Sequence, residues 1–319
     1  MDNQSSDELL LLQQLVYSQL ASDGDQLKET VVVLTCLLFI YINSLMFHTL
    51  LSKPVFRELP RYILFAHMLC NDTIQMVLTV VLFCLVVEMI QISKPICAVA
   101  VYISTVTYRN TAFNIAVMSL ERYVAICFPL RHSEMATPNA TGVAIGTMWV
   151  ISSVCPLIDI FYGMIMDPMY YSAQIFCFRE MYVITSWQMQ MFQIMNGFYF
   201  VSVTLVIIVT YINVIVAAHG VSADKKMAQK AKNTILLHII QLILCLSSLL
   251  FGTIDTILAR YLSGKLLHQL RFVVFFFILL LPRFLSPLIY GLRDDAVGAL
   301  FLYYIRCGYQ KVKPSVTTH

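Results

Sequence analysis

Seven continuous apolar runs constrain this chain more than any other feature. They are approximately Thr30–Ser52, Tyr62–Val87, Cys97–Tyr123, Gly142–Tyr162, Met191–Ala218, Asn233–Leu258 and His268–Gly291. A helix rises about 1.5 Å per residue, so about 20 residues cover the roughly 30 Å hydrocarbon layer of a bilayer. The runs do not alternate polar with apolar, which selects helices over the strands of a barrel wall. Composition agrees: 59% of the residues are hydrophobic and only 12% charged, half the charge a water-facing surface uses. The expected fold is all-α, a bundle of seven transmembrane helices. The net charge of +3 is mild and no basic stretch interleaves with aromatics, so no nucleic-acid partner is expected.

Short cytoplasmic loops retain Lys and Arg, and this fixes the orientation. Thirteen of these residues fall on one side, in the loops holding Lys53, Arg122 and Lys225 and in the tail from Arg293, against six on the other. The amino terminus is therefore expected outside. Residues 1–29 form an outer segment, 30–291 the transmembrane domain and 292–319 a cytoplasmic helix and tail. Asp2, Asp7 and Glu8 occupy the place of a basic signal-peptide n-region, so the first span is expected to direct insertion. Asn3-Gln4-Ser5 is an outer glycosylation candidate. Asp294–Ile305 carries Val297, Leu300, Phe301 and Tyr304 at helical spacing, predicting an amphipathic helix on the inner leaflet, with Cys307 a palmitoylation candidate.

The chain holds nine cysteines. Cys36, Cys70, Cys84, Cys155 and Cys245 lie within spans, and Cys127 and Cys307 face the reducing cytosol. Cys97 and Cys177 remain on the oxidising side, where a disulfide would draw the long outer loop across the mouth of the bundle. The alternative is two unpaired thiols.

Charged groups inside the hydrocarbon are costly and turn toward the bundle interior. Asp72 and Arg283 fall near mid-membrane on spans two and seven, where they are expected to pair. Arg109 sits amid Ser104, Thr105, Tyr108, Asn110 and Thr111 on span three, an unusually polar stretch. Ser104 and Tyr108, like Thr105 and Arg109, are four residues apart, a spacing that lets them line one cavity. Asp159 in the outer third of span four is the natural partner of Arg109. Two readings stand beside each other: a structural ion pair, or an anchor for a ligand carboxylate or phosphate. Asn196 and Tyr199 on span five are further ligand-binding candidates. His48, His67, His238 and His268 show no metal spacing, and no phosphate loop or nucleophile elbow appears. No metal, cofactor or enzymatic activity is expected.

The string Met118-Ser119-Leu120-Glu121-Arg122-Tyr123, continuing to Phe128-Pro129-Leu130-Arg131-His132, resembles the span-three signature of rhodopsin-like G-protein-coupled receptors, and in its full length that of odorant receptors. Asn43, Leu69-Cys70-Asn71-Asp72 and Ser286-Pro287-Leu288-Ile289-Tyr290 agree, as does Lys230-Ala231-Lys232-Asn233-Thr234 with His238, a pattern similar to fish odorant receptors. The resemblance covers span one to the carboxyl-terminal helix. Ser286 stands where the family usually has Asn. The resemblance implies a small-molecule odorant as ligand and coupling to a stimulatory heterotrimeric G protein, at the plasma membrane of olfactory sensory cilia. It assigns coupling and activation to Glu121, Arg122, Tyr123, Tyr211, Pro287 and Tyr290, and a buried polar switch to Asn43, Asp72, Arg283 and Ser286. Family members commonly hold sodium at the Asp72 position; here the Arg283 guanidinium is expected to take that place. Alternatives are a rhodopsin-like receptor for a peptide, nucleotide or lipid, and a seven-span transporter or channel. Transport calls for helices broken at mid-membrane, whereas Pro156, Pro282 and Pro287 lie nearer span ends.

Overall fold

The computed structural model describes residues 25–177, 179, 184–221, 240, 243, 244, 246–248 and 250–306. Long helices occupy the first five apolar runs: α1 (Asp25–Leu51), α3 (Pro60–Val87), α4 (Lys94–Cys127), α6 (Pro138–Met166) and α7 (Ser186–Val221). Each extends beyond its apolar run, because the helix persists through the polar interface where hydropathy fades. Prolines set several starts. Lys53 and Leu59 each precede a proline and hold extended backbone, which separates α1, the short α2 (Pro54–Glu58) and α3. Arg57 in α2 donates to the carbonyl of Leu51 and caps the end of α1. A 3-10 turn at Pro129–Arg131 leads into the short α5 (His132–Met135). At the start of α6, the Thr137 hydroxyl accepts from the amide of Ala140, and Pro138 occupies the first turn.

The inner part of the sixth run, and the basic stretch from Lys225 before it, lie outside the described residues; its outer part is α8 (Phe251–Tyr261). The seventh run is built from α9 (Gly264–Val274), a π-helical turn at Phe275–Leu280, and α10 (Leu281–Arg293). The widened turn ends just before Pro282. A proline lacks the N–H that would close the preceding α-helical turn, and a wider turn relieves that mismatch. Span seven is thus irregular within its length, where the sequence placed interruptions only near its end. Between α8 and α9, Arg271 pairs with Asp255 at 2.8 Å, so this cation of the outer side is matched in charge.

The polarity of the bundle is inverted relative to a soluble protein. Ile194, Phe198, Val201, Leu205, Ile208 and Ile212 form an exposed apolar stripe along α7. Asn71, Asp72, Thr107, Arg109, Asn110, Asn114 and Arg283 are buried. Lipid solvates the stripe, while the polar groups find partners inside. α4 is the central helix, packed against α3, α6 and α7, and α1 packs on α3. A relay crosses three helices: the Trp149 indole donates to His67 Nε2 at 3.0 Å, and His67 Nδ1 lies 3.0 Å from Asn114 Oδ1. Asn114 in turn donates to the carbonyl of Leu64. His67 is thereby a satisfied bridging group.

The helix expected after span seven is α11 (Asp295–Ile305). Asp294 caps it by accepting from the amides of Ala296 and Val297, and also accepts a 2.9 Å bond from the Tyr62 hydroxyl. Val297 and Phe301 are buried in a core cluster with Met46, Leu50, Phe56 and Tyr62. Its apolar face therefore docks on the inner ends of α1 and α3.

Candidate functional site

A short hairpin, which the apolar pattern did not announce, covers the outer mouth. Strands β1 (Gln91–Ser93) and β2 (Gln174–Phe176) pair antiparallel with Ile92 opposite Ile175. Cys177 follows β2 directly and forms a disulfide with Cys97 in the first turn of α4, with Cα atoms 5.3 Å apart. Lys94 Nζ meets Asp167 Oδ2 at 2.5 Å and fastens the end of α6 to the start of α4. Burial acts to raise the Asp167 carboxyl. Hydrogen bonds from Lys94 and the Met169 amide outweigh it and hold the group below the usual carboxylate range.

Beneath this lid, Arg109 is 2% exposed. One of its nitrogens donates to Asn196 Oδ1 at 3.3 Å, and its guanidinium lies 5.0 Å from the Tyr199 ring centroid and 5.4 Å from that of Phe192. Its expected partner, Asp159, is engaged elsewhere. Asp159 lies 3.8 Å from Arg179 and accepts a 3.1 Å bond from Gln188, and no Arg109–Asp159 ion pair forms among the described residues. Depth explains the correction. Asp159 stands seven residues from the outer end of α6, about 10 Å, whereas Arg109 lies fifteen residues into α4, about 22 Å. Arg179 follows Cys177 by two residues, so the disulfide brings it within reach of the shallower carboxylate. Gln188 is fully committed: its amide oxygen accepts from the Ile184 and Thr185 amides and the Thr185 hydroxyl at the start of α7. Sequence reasoning missed Arg179, Gln188 and Phe192, although the spacing of Arg179 from Cys177 was a usable signal.

Ser104 and Tyr108 bond toward helices other than the one Arg109 meets. Ser104 accepts a 3.1 Å bond from Gln75 on α3, and the Tyr108 hydroxyl donates to the carbonyl of Ser248. Thr105 is half-buried. Asn196 and Tyr199 do stand beside Arg109, and the Tyr199 hydroxyl lies 4.0 Å from the Cys155 thiol. A cleft lined by Cys155, Ile158, Asp159, Trp187, Gln188 and Phe192 opens between α6 and α7.

At the centre of the bundle, Arg283 Nη1 lies 3.4 Å from Asp72 Oδ1, which also accepts a 2.8 Å bond from Thr111. The guanidinium is 5.3 Å from the Tyr108 ring centroid. A polar ladder supports this pair: Asn71 donates to Thr111 and to the carbonyl of Thr107, and Thr107 donates to Gln75. The place where the family holds sodium already has a cation, and a second one would meet its repulsion. Asn43 is buried on α1.

At the inner end of α4, Glu121 is shared between Arg122 at 3.5 Å and His132 Nε2 at 3.3 Å. The His132 contact was not foreseen. The Tyr123 ring stands edge-on to Phe128, 5.6 Å between centroids, and Tyr211 is buried on α7 within the core. The side chains of Ser286, Pro287 and Tyr290 lie outside the described residues, as do Asn3 and Cys307 entirely.

A helical bundle with a disulfide-pinned outer mouth, a buried charge pair at its centre and an arginine at the inner end of its third span defines a seven-helix membrane receptor. Residues 30–290 match the family model of seven-transmembrane receptors of the rhodopsin family. The chain belongs to that family, in its odorant-receptor branch. It is 34% identical over 312 residues to odorant receptor 131-2 of Danio rerio, covering 90% of each chain. Human olfactory receptor 2M3 is 28% identical over 219 residues, covering 66% of this chain and 68% of the relative. Mouse olfactory receptor 1M1 shares 36% over 69 residues, 22% of each. Membership makes the protein a multi-pass membrane receptor and not an enzyme.

Proposed function

We propose that this protein is an odorant receptor that binds a small molecule in the outer half of its bundle and activates a stimulatory heterotrimeric G protein at its cytoplasmic face. The reading rests first on the similarity to a zebrafish odorant receptor along nine-tenths of both chains. The ligand residues are drawn from Ser104, Thr105, Tyr108, Arg109, Asp159, Asn196 and Tyr199, in a chamber roofed by the hairpin and the Cys97–Cys177 bridge. The receptor acts at the plasma membrane, in the cilia of olfactory sensory neurons. Residues 30–291 form the receptor domain, and the segments before and after it lie outside and inside the cell.

Coupling uses Arg122, with Tyr123, Tyr211, Pro287 and Tyr290 in support. Glu121 holds Arg122 when the inner end is closed, and an outward shift of span six would let the guanidinium meet the G protein. Asn43, Asp72, Arg283 and Ser286 form the polar connection between outer chamber and inner end. A ligand shifts the balance only by its difference in affinity for the two arrangements.

A panel of small water-soluble odorants, applied to cells expressing the chain with a cyclic-AMP readout, tests the function. At least one is expected to raise cyclic AMP in a saturable manner. Surface-expressed receptor silent to the panel, yet responding to a peptide, nucleotide or lipid, would replace the odorant reading.

A further inference from the structure

Resting on the reading of the outer chamber as the ligand site, we infer that the ligand class is a small carboxylic acid, received as its anion by Arg109. Arg109 is buried, yet its Nε and Nη1 have no hydrogen-bond partner among the described residues. The hydrogen bond to Asn196 at 3.3 Å is long for a charged donor. A buried guanidinium with unmet donors is costly in a low-dielectric interior, and a ligand that meets them gains the difference.

Charge balance gives the sign and size of the missing group. Phe192 carries two guanidinium groups near its ring, Arg179 at 3.3 Å and Arg109 at 5.4 Å from the centroid. The described carboxylate near them is Asp159, which serves Arg179 and Gln188. Among the described residues Arg109 has no carboxylate at ion-pair distance, and one negative charge would match its own. A carboxylate supplies that single charge. A phosphate monoester, carrying close to two at neutral pH, would overshoot in a place where excess charge is poorly solvated.

Aromatic and aliphatic side chains stand near the guanidinium. Tyr199 and Phe192 wall the guanidinium, and the adjoining cleft adds Cys155, Ile158, Trp187 and Met191. A charged head held by few donors, with a short apolar tail against aromatic and aliphatic walls, is the usual division of labour in a small-ligand site.

The test uses full-length receptor in lipid nanodiscs with hexanoate, hexanol, methyl hexanoate and hexyl phosphate, reading ligand-induced thermal stabilisation, with cyclic AMP measured in cells for the same compounds. Hexanoate is expected to bind roughly tenfold or more tightly than the other three. Arg109→Gln should weaken hexanoate roughly tenfold to hundredfold and leave hexanol binding nearly unchanged, while Arg109→Lys, which keeps the charge, retains most of the preference. Hexanol or hexyl phosphate binding as tightly as hexanoate would overturn the inference, as would Arg109→Gln binding hexanoate undiminished. The acid-over-alcohol comparison needs no variant, so a misfolded Arg109→Gln leaves a decisive result in hand. Hexanoate binding without cyclic AMP supports the anion site and counts against stimulatory coupling. Cyclic-AMP responses to neutral odorants, unmoved by Arg109→Gln, uphold receptor function and overturn the anion site.

Discussion

Arg283→Gln alone is expected to destabilise the receptor by about 3–5 kcal/mol, because it leaves the Asp72 carboxylate buried without its cation. Asp72→Asn should cost a similar amount by stranding the guanidinium. The double variant Asp72→Asn/Arg283→Gln should be less damaging than either single change, since both charges go together. A buried ion pair adds little net stability over a neutral pair, and the large loss comes from breaking it. Thermal unfolding of the four proteins in nanodiscs closes the cycle. Additive losses would mean that the 3.4 Å approach of Arg283 to Asp72 carries no energetic coupling. Because a guanidinium already occupies the place, added sodium should leave the unfolding temperature of the native chain unchanged. We propose that this pair, linked through Thr111 and Asn71 to the carbonyl of Thr107, is the element whose rearrangement accompanies activation.

Replacing Cys97 or Cys177 with serine is expected to cost about 2–4 kcal/mol and to lower surface expression severalfold. The bridge closes a loop of 80 residues in sequence separation. In a soluble chain such a closure removes a large conformational entropy from the unfolded state. Here α4 and α6 stay threaded through the bilayer on unfolding, which restricts the unfolded chain already and places the effect below the full soluble value. The outer loop carries a second consequence. With the bridge gone, Arg179 is no longer held two residues from a fixed point, and Asp159 loses its counter-ion. Ligand response should therefore fall further than surface expression does. A response that tracks surface expression one for one would show that the loop serves stability alone.

The spans were legible because a bilayer imposes one length and one polarity on every helix, and the first five apolar runs map directly onto α1, α3, α4, α6 and α7. The bridge was legible because compartment chemistry leaves Cys97 and Cys177 together. Asp72 and Arg283 were legible because charge in hydrocarbon is rare enough for each group to seek another. Arg109 and Asp159 show where that logic stops. Both lie inside the membrane by sequence, but they differ in depth by about 12 Å, and the nearer partner of Asp159 came from a loop whose path no periodicity encodes. His132 escaped notice for a related reason. It lies eleven residues past Glu121, beyond the bend that follows Cys127, and the chain returns to the carboxylate only because α4 ends there and turns at Phe128. The π-helical turn before Pro282 depends on backbone hydrogen-bond geometry, which hydropathy does not carry.

Receptor function turns on whether occupancy of the outer chamber is felt by a G protein at Arg122. The direct measurement is guanine-nucleotide exchange on a purified stimulatory G protein, catalysed by the reconstituted receptor with and without an activating odorant. The expected result is ligand-accelerated exchange with the native chain and none above background with Arg122→Glu at equal receptor amount and equal ligand binding. Undiminished exchange with Arg122→Glu would contradict the account.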